Sequence, residues 1–186
     1  MWDHFDLLAP IYELVIRPRK PEKLLSLMKM DPASQILDVG GGTGRISQFF
    51  AAAGYRVVVA DISQRMLTKA LEKDGLAAVC APSEQMPFQD ETFCCTIMVD
   101  AFHHVADQKQ TALELWRLLK PGGRLIIEEP DPRLVAVKLV ALAEKLALMR
   151  SHFSSPEKIG GYFHFPSARV TVQAEEPNAF IIVDKA

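Results

Sequence analysis

The chain has 186 residues, 49% hydrophobic and 24% charged, with 10 glycines and 12 prolines. That composition excludes collagen, low-complexity disorder and a coiled coil, and the length predicts one domain, two at most. The 21 basic and 23 acidic side chains leave a net charge of -2, and no Lys/Arg run stands out, so a nucleic-acid-binding surface is not indicated.

The N-terminus carries Asp3 and Asp6 before any apolar run, which does not read as a signal peptide. Gln35 to Val39 reads as a buried strand stopped by glycines. Thr43 to Ala53 reads as a helix ended by Gly54. Tyr55 to Asp61 is β-branched and reads as a second strand. Ser63 can cap a helix from Gln64 to about Lys73, with Gly75 as its stop. Ala77 to Cys80 is a weak third strand, and Thr96 to Val99 a fourth. A helix follows over Gln108 to Leu119, then a turn at Lys120-Pro121-Gly122-Gly123 and a fifth strand over Arg124 to Glu128.

Leu134 to Arg150 reads as a long helix, apolar on more than one face. Its most apolar stretch contains Lys138, Glu144 and Lys145, and is short and charged for a membrane span. Arg169 to Ala174 and Ala179 to Val183 close the chain as two strands joined by a short turn, and so must pair antiparallel. Cys80, Cys94 and Cys95 show no C-x-x-C spacing, which argues against a disulfide framework and against a metal site. They read as small packing residues in a reducing, cytoplasmic protein.

Strands alternating with helices predict right-handed crossovers and a mostly parallel sheet covered on both faces. The expected fold is therefore α/β and Rossmann-like: three layers, and a seven-stranded, mostly parallel sheet with an antiparallel C-terminal hairpin strand. Ligands of such sheets bind beyond the carboxyl ends of the strands.

The loop after strand one is Asp38-Val39-Gly40-Gly41-Gly42-Thr43-Gly44. Glycines allow close backbone approach and positive φ, and a helix start offers free N–H groups to an anion. The Walker loop's Gly-Lys-Ser/Thr is absent. The dinucleotide fingerprint fails too, because its third glycine would fall on Arg45 or Ser47. What stands is G-x-G-x-G at Gly40, Gly42 and Gly44. Asp61, at the end of strand two, can accept hydrogen bonds from ribose hydroxyls or cap the next helix.

This loop resembles motif I of class I S-adenosylmethionine-dependent methyltransferases. Other segments resemble the family in the same order: Phe5 to Tyr12 its N-terminal lid helix, Glu84 to Phe88 with Phe93 the segment before strand four, Asp100 to Val105 the motif after it, and Leu119 to Gly123 the turn before strand five. The resemblance implies one methyltransferase domain over residues 1–186, with lid helices in 1–30, a cofactor-binding core in 34–130, and the apolar helix and closing hairpin in 131–186.

The implied cofactor is S-adenosylmethionine. Asp38 would meet its ammonium group, and Gly40, Gly41, Gly42 and Gly44 its methionine end. Asp61 would bond the ribose, Ile62 would flank the adenine, and Ser83 and Glu84 would lie near the adenine edge. Phe102 and Tyr12 would pack on the cofactor. The family often has Asp where Pro82 stands, so an acceptor for the adenine amino group is missing; it also commonly has Asp where Cys94 stands, and Cys94 reads as a packing residue.

Methyl transfer needs a general base only when the nucleophile arrives protonated. Asp100 and His103 are the candidates, with His104 beside them. The expected substrate is a small neutral or apolar molecule. The apolar helix either covers it or forms a homodimer contact. The alternative is a non-catalytic methyltransferase-like binding module that holds the cofactor weakly or has lost it.

Overall fold

A computed structural model describes residues 21–31, 33–135, 137–138 and 151–186. Helix α1 (Pro21–Met28) precedes β1 (Gln35–Val39), α2 (Ser47–Ala52), β2 (Arg56–Asp61), α3 (Gln64–Leu71) and β3 (Leu76–Cys80). Then follow β4 (Phe93–Val99), a 3-10 turn (Phe102–His104), α4 (Gln108–Leu118) and β5 (Leu119–Pro130). Helix α5 (Pro156–Gly160), a second 3-10 turn (Gly161–Phe163), β6 (Ala168–Glu175) and β7 (Asn178–Lys185) complete the order.

The seven strands form one sheet in the order β3-β2-β1-β4-β5-β7-β6. Strands β1 to β5 pair parallel. Strand β7 runs antiparallel between β5 and β6. This is the expected topology, including the reversed strand. The central strands are mostly apolar because both faces are covered. Leu37, Val39, Met98, Leu125 and Ile127 face one buried cluster. Ile36, Ile97, Val99 and Ile126 face the other, against Leu24 and Phe50. The period of two along each strand thus builds three layers from nearly continuous hydrophobic runs.

Several boundaries differ from the expectations, each for a local reason. The helix expected from Thr43 begins only at Ser47, because Gly42 and Gly44 hold φ of +55° and +70°, outside the helical region. Strand four starts earlier, at Phe93, whose side chain is fully buried. Lys120 to Gly123 is not a turn before β5 but an irregular stretch within it. Pairing jumps from Phe93↔Leu119 to Cys95↔Arg124, and Gly122 has φ +76°. A Cβ on Gly123 would stand 2.9 Å from the Cys94 carbonyl oxygen, so the chain can approach β4 there only as glycine.

The apolar helix expected over Leu134 to Arg150 lies largely outside the described residues, as does the lid segment with Tyr12. Among the described residues, no helix is long and apolar enough to cross a membrane.

Candidate functional site: the glycine loop at the strand-order reversal

The strand order reverses between β1 and β4, the place where an open α/β sheet leaves a crevice at its carboxyl edge. The glycine loop is pressed into this crevice from behind. A Cβ on Gly40 would lie 2.6 Å from the Ala101 Cβ, and one on Gly41 would lie 2.6 Å from the Asp38 carboxyl. Only glycine fits at these positions.

Asp61 closes the loop from the β2 side. Its Oδ2 accepts the Gly42 N–H at 2.9 Å and its Oδ1 accepts the Ser63 N–H at 2.8 Å. The cap of α3 is Ser63, whose hydroxyl accepts the Met66 N–H. Asp61 is therefore not that cap. It braces the loop through both of its carboxylate oxygens. Ile62, next to it, is 64% exposed, an apolar surface at the mouth of the site.

Asp38 is buried, and the Ser47 hydroxyl donates to its Oδ2 at 2.6 Å. Burial pushes its carboxyl up to about 7, against the lowering effects of Ser47 and Arg45. A carboxyl raised above its unfolded value of 3.8 holds its proton in the folded state. It therefore opposes folding increasingly as pH rises toward 7. Thermal melts of the ligand-free protein are expected to fall between pH 5 and pH 8 at this site. Asp38→Asn should flatten the fall, by on the order of a few kcal/mol. Parallel melting curves for the two proteins across that range would refute it.

Ser83 and Glu84 serve the loops around the site. The Glu84 Oε1 accepts the backbone N–H groups of Ala106 and Asp107 at 2.9 and 3.0 Å, and the Ser83 hydroxyl lies 3.3 Å from Thr111 Oγ1. Both tie the segment after β3 to the start of α4. Phe102 has no exposed surface and packs in the core, its ring tilted 6.2 Å from Tyr162.

The two candidate bases have different partners. Asp100 stands at φ +52°, a conformation that Asp tolerates better than most residues. Its carboxylate faces Arg45, with Nη2 3.9 Å away. His103 is buried and its Nδ1 lies 2.6 Å from Glu129 Oε2. The other Glu129 oxygen accepts the Phe102 N–H at 2.8 Å. The ring is further held by Phe153, stacked at 4.3 Å, and by His104 at 4.0 Å. Burial, with His103 beside it, pushes His104 down to about 3, so His104 stays neutral.

Sequence reasoning missed Glu129 and Arg45. Two consecutive glutamates at the end of an apolar strand carried a signal. Successive strand residues face opposite sides, so each carboxylate at a covered strand needs a partner on its own side. Glu128 finds Asn178 at 2.6 Å, and Glu129 finds His103.

These residues fit a zwitterionic adenosine cofactor. The carboxyl groups of Asp38, Asp61 and Asp100 stand at or next to the carboxyl ends of β1, β2 and β4 that border the crevice. A buried guanidinium nitrogen, Arg45 Nη1, has no hydrogen-bond partner there among the described residues. No group of three or more His, Cys, Asp or Glu among them is arranged to hold a metal ion.

The sheet order and the glycine loop are those of a class I methyltransferase. Residues 37–127 match the family described as "Methyltransferase domain", and this stretch, just under half of the chain, is that of a class I S-adenosylmethionine-dependent methyltransferase, whose cofactor is S-adenosylmethionine. It is 34% identical over 105 residues to the ubiquinone/menaquinone biosynthesis C-methyltransferase UbiE of Pectobacterium carotovorum, a match covering 51% of this chain and 42% of that protein. The UbiE protein of Vibrio cholerae is 35% identical over 109 residues, again covering 42% of its length. The match thus spans less than half the length of these curated relatives. A SAM-dependent methyltransferase from Thermotoga maritima has the same fold at 22% identity, with a TM-score of 0.80 and full coverage of both chains. A chain from the complex between the Haloferax volcanii Trm112 methyltransferase activator and a methyltransferase aligns with a TM-score of 0.82 at 16% identity, covering 100% of this chain and 99% of that one.

Proposed function

We propose that this chain forms one methyltransferase domain and transfers the methyl group of S-adenosylmethionine to a small neutral or apolar acceptor. The observation that carries the proposal is the glycine loop held by Asp61 at the strand-order reversal. Asp38, Gly40, Gly41, Gly42, Gly44, Asp61 and Ile62 would hold the cofactor. Ser83 and Glu84 would shape the adenine end, Phe102 would support it from the core, and Tyr12 would approach from the lid segment.

Bound S-adenosylmethionine supplies an electrophilic methyl carbon on a sulfonium. The protein contributes position and exclusion of water. Where the acceptor arrives as a hydroxyl, His103 would take its proton at Nε2, with Nδ1–H donated to the acceptor-only carboxylate of Glu129. The likeness to quinone-biosynthesis C-methyltransferases makes a hydroquinone the first acceptor to assay. Such a ring is small and apolar, and needs a proton removed before its carbon becomes nucleophilic.

Calorimetry tests the cofactor. S-adenosylmethionine or S-adenosylhomocysteine should bind and NAD should not; NAD binding with no response to either adenosyl compound would overturn the proposal. Methyl transfer to a short-chain prenyl hydroquinone tests the acceptor class.

A second reading draws on Pro82, exposed where an acid would accept the adenine amino group. In it, the domain binds the cofactor weakly or not at all and serves a partner. Cofactor retained through purification speaks against it.

A further inference from the structure

Arg45 bridges the two strand ends that flank the crevice. It follows Gly44 on the β1 side, and its guanidinium reaches toward Asp100, the residue after β4. The residue is 8% exposed. Its nearest carboxylate contact, Asp100 Oδ2, is 3.9 Å away, an ion pair too long for a hydrogen bond. Its Nη1 is buried without a partner among the described residues.

A guanidinium carries five donors and cannot shed its charge. Left this way in a buried place, it bears an unrelieved desolvation cost. An acceptor that arrives with a ligand removes that cost. The helix after the loop does not fill this role. It begins at Ser47 and has six residues, and the Ser47 hydroxyl is already turned to Asp38. The charge available to an anion in this crevice is therefore a side chain.

We propose that Arg45 anchors the α-carboxylate at the amino-acid end of the cofactor through Nη1, with Asp100 orienting the guanidinium from the β4 side. This rests on the methyltransferase reading. It makes Arg45 the residue by which the site distinguishes a ligand that keeps its amino-acid carboxylate from one that has lost it. A planar fork is the suitable group, since it can bond a carboxylate through two nitrogens where an ammonium acts as a point charge.

The test is calorimetry on the whole chain with two ligands, S-adenosylhomocysteine and 5′-methylthioadenosine. They share the adenosine and the thioether sulfur, and only the first has the amino acid. The parent is expected to prefer S-adenosylhomocysteine. Arg45→Gln is expected to weaken S-adenosylhomocysteine by about 10- to 150-fold, the range for a hydrogen bond to a charged group, and to leave 5′-methylthioadenosine unchanged. Arg45→Lys should fall between the two.

Equal losses for both ligands, or undiminished S-adenosylhomocysteine binding, would overturn the assignment. A parent that binds neither ligand would instead overturn the cofactor reading beneath it. Should Arg45→Gln not fold, the ratio of the two affinities in Arg45→Lys decides. A ratio equal to the parent's rejects the anchor, and a reduced ratio supports it.

Discussion

His103→Ala is expected to keep cofactor affinity and to lose methyl transfer by roughly 10²–10⁴-fold, the range for removing a positioned general base. The argument starts from the ring's surroundings. His103 is buried, its Nδ1 bonds Glu129 at 2.6 Å and its face stacks on Phe153. A carboxylate can only accept, so the bond places the proton on Nδ1 and leaves Nε2 basic. Glu129 is then a positioning residue, and Glu129→Gln should lower kcat while leaving the KM for S-adenosylmethionine unchanged. Glu129→Asp should restore part of the rate. The measurement is S-adenosylhomocysteine released in the presence of a hydroquinone, with a melt of each variant to separate lost chemistry from lost fold. Turnover unchanged in a folded His103→Ala would assign the rate to proximity alone. His103 would then be a packing residue that ties the turn after β4 to the 151–155 segment, whose His152 N–H already bonds the His103 carbonyl.

Asp61→Ala is expected to weaken cofactor binding by about 10- to 150-fold, from the loss of charged hydrogen bonds worth roughly 1.5–3 kcal/mol. Two effects contribute in the same direction. The variant removes the acceptor proposed for the ribose. It also removes the acceptor of the Gly42 N–H at 2.9 Å, so the loop loses its brace on the β2 side. Asp61→Asn separates them, because its amide oxygen can still accept from Gly42 while the charge is gone. Titration with S-adenosylhomocysteine reads both. Undiminished affinity in a folded Asp61→Ala protein would confine Asp61 to bracing the loop.

The features legible in the sequence were those that local chemistry dictates. Runs such as Ile36 to Val39 and Val57 to Ala60 are too apolar for any place but a covered sheet. Alternation with helices then requires parallel crossovers, and the short link at Glu175 to Asn178 forces a hairpin. The glycine loop was legible for the same reason. Positive φ at Gly40, Gly42 and Gly44, and backbone too close for a Cβ, are demands that only one residue type meets. Asp61 could be placed at the carboxyl end of its strand from strand length alone.

Contacts between segments far apart in the chain were decided by the tertiary structure. Glu129 meets His103 across 26 residues, because β4 and β5 pair in the register that sets Val99 beside Glu128. Nothing local distinguishes Glu129 from Glu128, which faces the other way and bonds Asn178. Arg45 counted in the sequence only as the residue where a dinucleotide glycine should have been. Its burial against the end of β4 follows from the strand order, which brings β1 and β4 side by side although β2 and β3 lie between them in the chain. A residue's backbone demands are written into its own identity. The partner of a buried charge is supplied by whatever strand the sheet places next to it.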